Sequence, residues 1–220
     1  MRVRGARQRK APSAQWLSRQ LNDPYVAEAR RLGYRSRAAF KLIELDDRFG
    51  LLLPGQRVVD LGCAPGGWTQ VAVERVRAGE GRGAVVAVDL GETKPIVGAV
   101  ILYGDLRDPE VVSAVKAALG GPADVVLSDM APPSTGHAAT DHLRIVALAE
   151  VATSVAAEIL RPGGAFVVKV FKGGAEGMLL ARLKRQFSEL RHAKPPASRA
   201  ESAETYVVAK GFRGHGAAVE

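Results

Sequence analysis

Four ionisable side chains stand in contexts that ought to exclude them, and their chemistry is the first thing to explain. Lys41 lies in the helix-like stretch Arg37-Ala-Ala-Phe-Lys-Leu-Ile and Asp129 closes the apolar run Val125-Val-Leu-Ser-Asp. Lys169 interrupts Ala165-Phe-Val-Val-Lys-Val-Phe, and Glu204 opens Glu204-Thr-Tyr-Val-Val-Ala. Apolar runs of this length read as buried strands of a parallel sheet. A lone ammonium there is costly unless carboxylates meet it. Two lysines and two carboxylates compensate one another, and a charge-matched buried cluster marks a site rather than packing. Groups of this kind move protons or stabilise charge that develops during a reaction.

Bringing them together requires a sheet, and the pattern supplies one. Strands are expected at 57–61, 84–89, 100–103, 124–129, 165–171 and 205–210, with a weaker one near 189–194. Helical periodicity fills 67–78, 108–119, 139–161 and 175–187, with Thr140 or Asp141 as the N-cap of the longest helix. This alternation predicts an α/β domain with a doubly wound, mostly parallel, seven-stranded sheet. It is expected over 54–210, after a basic helical segment at 14–53 whose helices fall at 23–32 and 36–49. A polar, basic tail at 1–13 and a loose end at 211–220 complete the chain.

The first strand runs into Val58-Val-Asp-Leu-Gly-Cys-Ala-Pro-Gly-Gly-Trp and then a helix. Gly62, Gly66 and Gly67 let backbone approach a ligand, and the helix N-terminus offers unpaired N–H groups. A dinucleotide fingerprint would place glycine at 64, where the chain has Ala64. The spacing is nearer that of S-adenosyl-L-methionine-dependent methyltransferases, although tight strand–helix turns use glycine structurally as well. Acids recur at successive strand ends: Asp60, Asp89, Asp105 and Asp129. Asp89 is placed to bind ribose hydroxyls and Asp105 an adenine amino group, since ligands of open α/β sheets sit beyond the carboxyl ends of the strands.

Charge is lopsided. Residues 1–41 hold eleven Lys or Arg against Asp23 and Glu28, while the rest of the chain carries twenty basic and twenty-one acidic residues. Such a segment suits a polyanion, and Trp16, Leu17, Tyr25, Val26, Leu32, Tyr34 and Phe40 interleave with its charges as a folded RNA-binding surface would. Arg30, Arg31, Arg35 and Arg37 are the expected RNA contacts. An organellar transit peptide or a solvated tail are the competing readings. The single Cys63 forms no internal disulfide, and the four histidines do not combine with it at metal-ligand spacing, so no metal is signalled. No apolar run is long enough to span a bilayer, which predicts a soluble, cytoplasmic protein without a membrane partner. A monomer is the default expectation.

Five segments in order resemble the FtsJ family of RNA ribose 2′-O-methyltransferases. They are Ser36-Arg-Ala-Ala-Phe-Lys-Leu, Val59-Asp-Leu-Gly-Cys-Ala-Pro-Gly-Gly-Trp, Ser128-Asp-Met-Ala-Pro, Gly163-Gly-Ala-Phe-Val-Val-Lys-Val-Phe and Ser198-Arg-Ala-Glu-Ser-Ala-Glu-Thr-Tyr. The resemblance runs over residues 14 to 210 and implies the Rossmann-like methyltransferase fold. It implies a catalytic Lys41–Asp129–Lys169–Glu204 tetrad, with S-adenosyl-L-methionine held by Gly62, Gly66, Gly67, Trp68, Asp89, Asp105 and Asp129. The implied substrate is a uridine ribose in 23S ribosomal RNA, within the large ribosomal subunit. Two departures stand out: Cys63 where some members carry alanine, and Pro132-Pro133 where asparagine is frequent. Lys169 is the residue expected to meet the 2′-hydroxyl, either as an amine that takes its proton or as an ammonium that orients it. Rivals are a transfer-RNA 2′-O-methyltransferase, a non-catalytic RNA-binding assembly factor and a nicotinamide-linked oxidoreductase.

Overall fold

The computed structural model describes residues 23–133, 135–171 and 176–214. The expected tail at 1–13, the start of the basic segment with Trp16 and Leu17, and the chain end from His215 lie outside them.

Among the described residues two helices precede the sheet. Asp23 caps α1 (Pro24–Leu32), its carboxylate accepting the Tyr25 N–H at 3.0 Å, and proline takes the first helical position. Gly33, at φ 80°, closes the helix in the left-handed conformation. In α2 (Ala38–Phe49), Ala39, Leu42, Leu45 and Asp46 are buried at helical spacing, and Lys41 with them.

The alternating part contains β1 (Arg57–Leu61), α3 (Gly67–Val76), β2 (Ala84–Asp89), β3 (Ala99–Tyr103), α4 (Pro109–Leu119) and β4 (Ala123–Ser128). It continues through α5 (Ala138–Ile159), β5 (Leu160–Phe171), α6 (Gly177–Gln186), β6 (Phe187–Ala193) and β7 (Glu204–Phe212). The strand order is β3-β2-β1-β4-β5-β7-β6. β1 pairs in parallel with β2 and β4, as do β2 with β3 and β4 with β5, whereas β7 runs antiparallel to β5 and β6. The chain winds outward in opposite directions from β1 and β4, which creates the crevice where such sheets bind ligands.

Both faces of the sheet are covered. Val59, Leu61, Val126, Phe166 and Val168 pack under α4, α5 and α6 through Val115, Ala152, Ile159 and Leu183. Alternate residues Val58, Val125, Leu127, Val167 and Tyr206 face α2 and α3 through Leu42, Leu45, Trp68 and Val71. Two-sided burial is why the central strands read as unbroken apolar runs.

Boundaries differ where tertiary pairing decides them. The longest helix starts at Ala138 with His137 as its N-cap, not Thr140 or Asp141. Asp141 instead sits in the first turn and accepts the Thr135 N–H and hydroxyl at 2.8 and 2.6 Å. That helix yields to β5 at Leu160, which pairs with Ala123 across a register shift, so the strand begins five residues before the expected 165. The weak strand is a full β6, and β7 runs on to Phe212, whose ring lies 5.3 Å from that of Phe187. The loose end therefore starts later than 211.

Candidate active site

Strand parity and register assemble the four ionisable residues. Asp129 follows β4 in phase with Val125 and Leu127, and Lys169 shares the phase of Val167 on the neighbouring strand, where Ser128 pairs with Val168. Because β7 is antiparallel, its first residue lies at the same edge: Glu204 pairs with Phe171, and Tyr206 with Lys169. All of these side chains belong to the face covered by α2, which contributes Lys41.

The contacts are direct. Lys169 Nζ donates to Asp129 Oδ1 at 2.9 Å and to the Asp129 carbonyl at 2.6 Å. Lys41 Nζ donates to Glu204 Oε2 at 2.9 Å and lies 3.7 Å from Asp129 Oδ2. Lys169 Nζ and Glu204 Oε2 are 4.0 Å apart, which closes the ring. Lys41 and Lys169 are 8% and 5% exposed, so the pairs are largely shielded from water. Two positive and two negative groups leave the cluster neutral, which is what makes its burial tolerable.

Two further residues hold the carboxylates. The Tyr206 hydroxyl donates to Asp129 Oδ1 at 2.6 Å and the Ser198 hydroxyl to Glu204 Oε1 at 2.8 Å. Burial pushes the Asp129 carboxyl up, but the Lys169 and Lys41 ammonium groups and the Tyr206 hydroxyl outweigh it and hold it below the ordinary aspartate value. Burial, then the Asp129 and Glu204 charges, drive the Tyr206 phenol well above its ordinary value, so it stays a donor. Sequence reasoning missed both residues. A tyrosine in an apolar strand reads as core, although its two-residue spacing from Glu204 was a usable signal.

Beyond β1 the glycine turn leads into α3, which has Gly66 at φ 112° as N-cap and no side-chain cap. The helix thus begins with unpaired N–H groups fit for an anion. Space is tight: a Cβ on Gly62 would lie 2.2 Å from Met130 Cγ, and one on Gly67 2.4 Å from Ser36 Oγ. Asp89 braces the turn, accepting the Ala64 N–H at 2.8 Å and the Gly91 N–H at 2.6 Å. The Asp105 carboxylate is held to about 2 by hydrogen bonds from the Arg107 side chain and backbone. Asp60 is buried, with Oδ2 accepting from Thr69 Oγ1 at 2.6 Å and Oδ1 without a hydrogen-bond partner among the described residues. Burial, with the Asp129 and Asp89 charges, raises its carboxyl to about 7 against the Thr69 hydrogen bond. Trp68, an expected cofactor contact, has its side chain packed into the core beneath α2 and α3. The indole is 2% exposed, donates to the Ala38 carbonyl at 2.8 Å and packs 5.6 Å from the Tyr206 ring.

The expected RNA-contacting arginines divide into two pairs. Arg30 and Arg31 are exposed on α1, Arg31 pairing with Glu28 at 2.5 Å. Arg37 and Arg35 are half-buried and also make ties within the chain. Arg37 lies 2.9 Å from Asp23 Oδ2 and donates to the Ala197 carbonyl at 2.7 Å, binding α2 to the loop that carries Ser198. Arg35 donates to three backbone carbonyls of the loops around the glycine turn.

A two-sided sheet with a reversed seventh strand and strand-end acids around an uncapped glycine turn has the architecture of Rossmann-like methyltransferases. The FtsJ-like methyltransferase family matches residues 34–212, and the chain belongs to that family. It is 63% identical over 97% of its length to the ribosomal RNA large subunit methyltransferase E of Paramagnetospirillum magneticum, covering 88% of that protein. Identity to the Rhodospirillum rubrum protein of the same name is 60%, over 97% of this chain and 82% of the relative. Among solved structures, a ribosomal RNA methyltransferase of Plasmodium falciparum superposes with a TM-score of 0.73 at 32% identity, over 82% of this chain and all of that one.

Proposed function

We propose that the protein transfers a methyl group from S-adenosyl-L-methionine to a ribose 2′-hydroxyl, that of a uridine in 23S large-subunit ribosomal RNA. The observation that carries this reading is the closed, neutral Lys41–Glu204–Lys169–Asp129 ring set at the carboxyl edge of β4 and β5, beside the glycine turn. The names of the relatives supply the ribosomal substrate, and the basic α1 is consistent with it.

S-adenosyl-L-methionine supplies an electrophilic sulfonium methyl. The cleft fits it chemically: free N–H groups at the start of α3 suit its carboxylate, Asp89 its ribose and Asp105 its adenine amino group. Gly62 and Gly66 let backbone form the floor.

Lys169 is the group that meets the hydroxyl. An ammonium has three donors, and Asp129 engages two, leaving one for the acceptor oxygen. In that form Lys169 orients the hydroxyl and stabilises its growing negative charge. As an amine it takes the hydroxyl proton. A pH profile of the single-turnover rate separates these roles, since only the base role makes the rate climb as the amine forms. Asp129 fixes Lys169, while Lys41 and Glu204 position the ribose. Alignment of the reacting atoms is worth roughly 7–11 kcal/mol, more than any single proton transfer in the site.

The test is transfer of radiolabelled methyl from S-adenosyl-L-methionine to large-subunit RNA, with the product mapped as an alkali-resistant ribose linkage. Label on a base, or transfer only to transfer RNA, would refute the assignment. Binding of RNA with no transfer would favour the assembly-factor reading.

A further inference from the structure

Arg35 lies in the turn between α1 and α2, and its guanidinium reaches both walls of the cleft beyond β1 and β2. Nη1 donates to the Lys94 carbonyl at 2.6 Å and to the Pro65 carbonyl at 3.2 Å, and Nη2 donates to the Pro95 carbonyl at 2.7 Å. Pro65 belongs to the glycine turn, while Lys94 and Pro95 belong to the segment between β2 and β3. The same two walls meet inside the cleft, where Asp89 accepts the Ala64 N–H. Gly66 is wedged beneath the clip: a Cβ there would lie 3.0 Å from Arg35 Nη1 and 2.8 Å from Ile96 Cδ1. The turn bearing Arg35 is itself anchored to α3. The Arg35 N–H donates to Gln70 Oε1 at 2.8 Å, and Gln70 Nε2 returns to the Gly33 carbonyl at 3.0 Å.

A planar fork that spans three carbonyls on two separate loops fixes their spacing in a way one ammonium cannot. All three acceptors are neutral, so the guanidinium also keeps its charge beside the uncapped start of α3.

We propose that Arg35 is a positioning residue of the S-adenosyl-L-methionine pocket, clipping the glycine turn to the Lys94–Ile96 segment from the helical N-terminal side. The inference rests on the reading of the glycine turn as the cofactor site. It assigns Arg35 to cofactor affinity in place of phosphate contact. Without the clip the walls sample wider spacings. A pocket competent about one-tenth of the time binds about tenfold more weakly.

The experiment is calorimetric titration of the full chain with S-adenosyl-L-methionine, paired with RNA binding over a salt series. In Arg35→Ala the cofactor dissociation constant rises about tenfold. Arg35→Lys, which spans fewer carbonyls, falls in between. The KM for cofactor rises and that for RNA does not. The RNA salt slope stays at the wild-type value in Arg35→Ala, whereas Arg30→Ala lowers it by about 0.7–0.9. Ile96→Ala provides an independent arm should Arg35→Ala fold poorly, because it loosens the same wall over Gly66 and raises the dissociation constant several-fold. Wild-type cofactor affinity in Arg35→Ala or Ile96→Ala, or a lowered RNA slope in Arg35→Ala, would overturn the clip. Absence of cofactor binding by the wild-type chain would instead overturn the functional reading, and the clip with it.

Discussion

Replacing Tyr206 by phenylalanine removes one oxygen and nothing else from a fully buried ring, and so isolates the support under Asp129. The lost interaction is a 2.6 Å hydrogen bond from a phenol to a carboxylate that is itself bonded to Lys169. Hydrogen bonds to charged groups contribute about 1.5–3 kcal/mol, and the ring remains, so no cavity term adds to this. For a chain of this size each kcal/mol shifts the melting temperature by about 2–4 °C, so a loss near 2 kcal/mol gives about 4–8 °C. The pH dependence is more diagnostic. Asp129 is held below its ordinary value, so its ionised form contributes stability that is complete above the ordinary aspartate range and is lost as pH falls through the native value. Without the phenol the native value rises, so the mutant has less of this stability to lose and has lost it all at a higher pH. The difference between Tyr206→Phe and wild type should therefore be largest near neutrality and shrink in acid. Urea unfolding of both chains at pH 3, 5 and 7, below and above the ordinary aspartate value, reads this directly. Equal stabilities at neutral pH, or a gap that widens in acid, would refute the role given to Tyr206.

Two other perturbations probe the glycine turn. Asp60 is raised from 3.8 to about 7, so the folded state resists its ionisation and loses stability as pH climbs between those values. Asp60→Asn abolishes that titration: its stability relative to wild type should increase with pH over this window, by up to about 4 kcal/mol. Parallel pH–stability curves would contradict this. Gly62→Ala forces an alanine to φ 80° and drives its Cβ to 2.2 Å from Met130 Cγ. The left-handed conformation alone costs about 1–2 kcal/mol, and cofactor affinity should fall as the turn shifts. A wild-type melting temperature together with wild-type affinity would argue against the tight floor.

The parts legible in the sequence were those where chemistry conflicted with its surroundings. Lys169 and Asp129 stood out because apolar strand runs flank them, and alternation fixed which face they share. The extent of the sheet was legible for the same reason, except at its edge. β6 has only Phe187 and Ala193 fully buried, so its strand signal was weak. What could not be read depended on distant partners. Arg35 looked like every other arginine of the basic segment, because its acceptors are carbonyls 30, 59 and 60 residues away. Ser198 and Tyr206 carried no charge to betray them. Phe212 lies among glycines in the expected loose end, yet its pairing with Phe187 carries β7 to that point.

The ring of four charges is best interrogated at Lys169, whose removal leaves Asp129 with Lys41 and Tyr206. Single-turnover methyl transfer to large-subunit RNA should be measured for Lys169→Ala with cofactor binding followed on the same preparation. Cofactor affinity near that of the wild type, with the transfer rate down by about 10²–10⁴-fold or more, is the expected result. Transfer at a near-normal rate would remove Lys169 from the chemistry and with it the proposed mechanism.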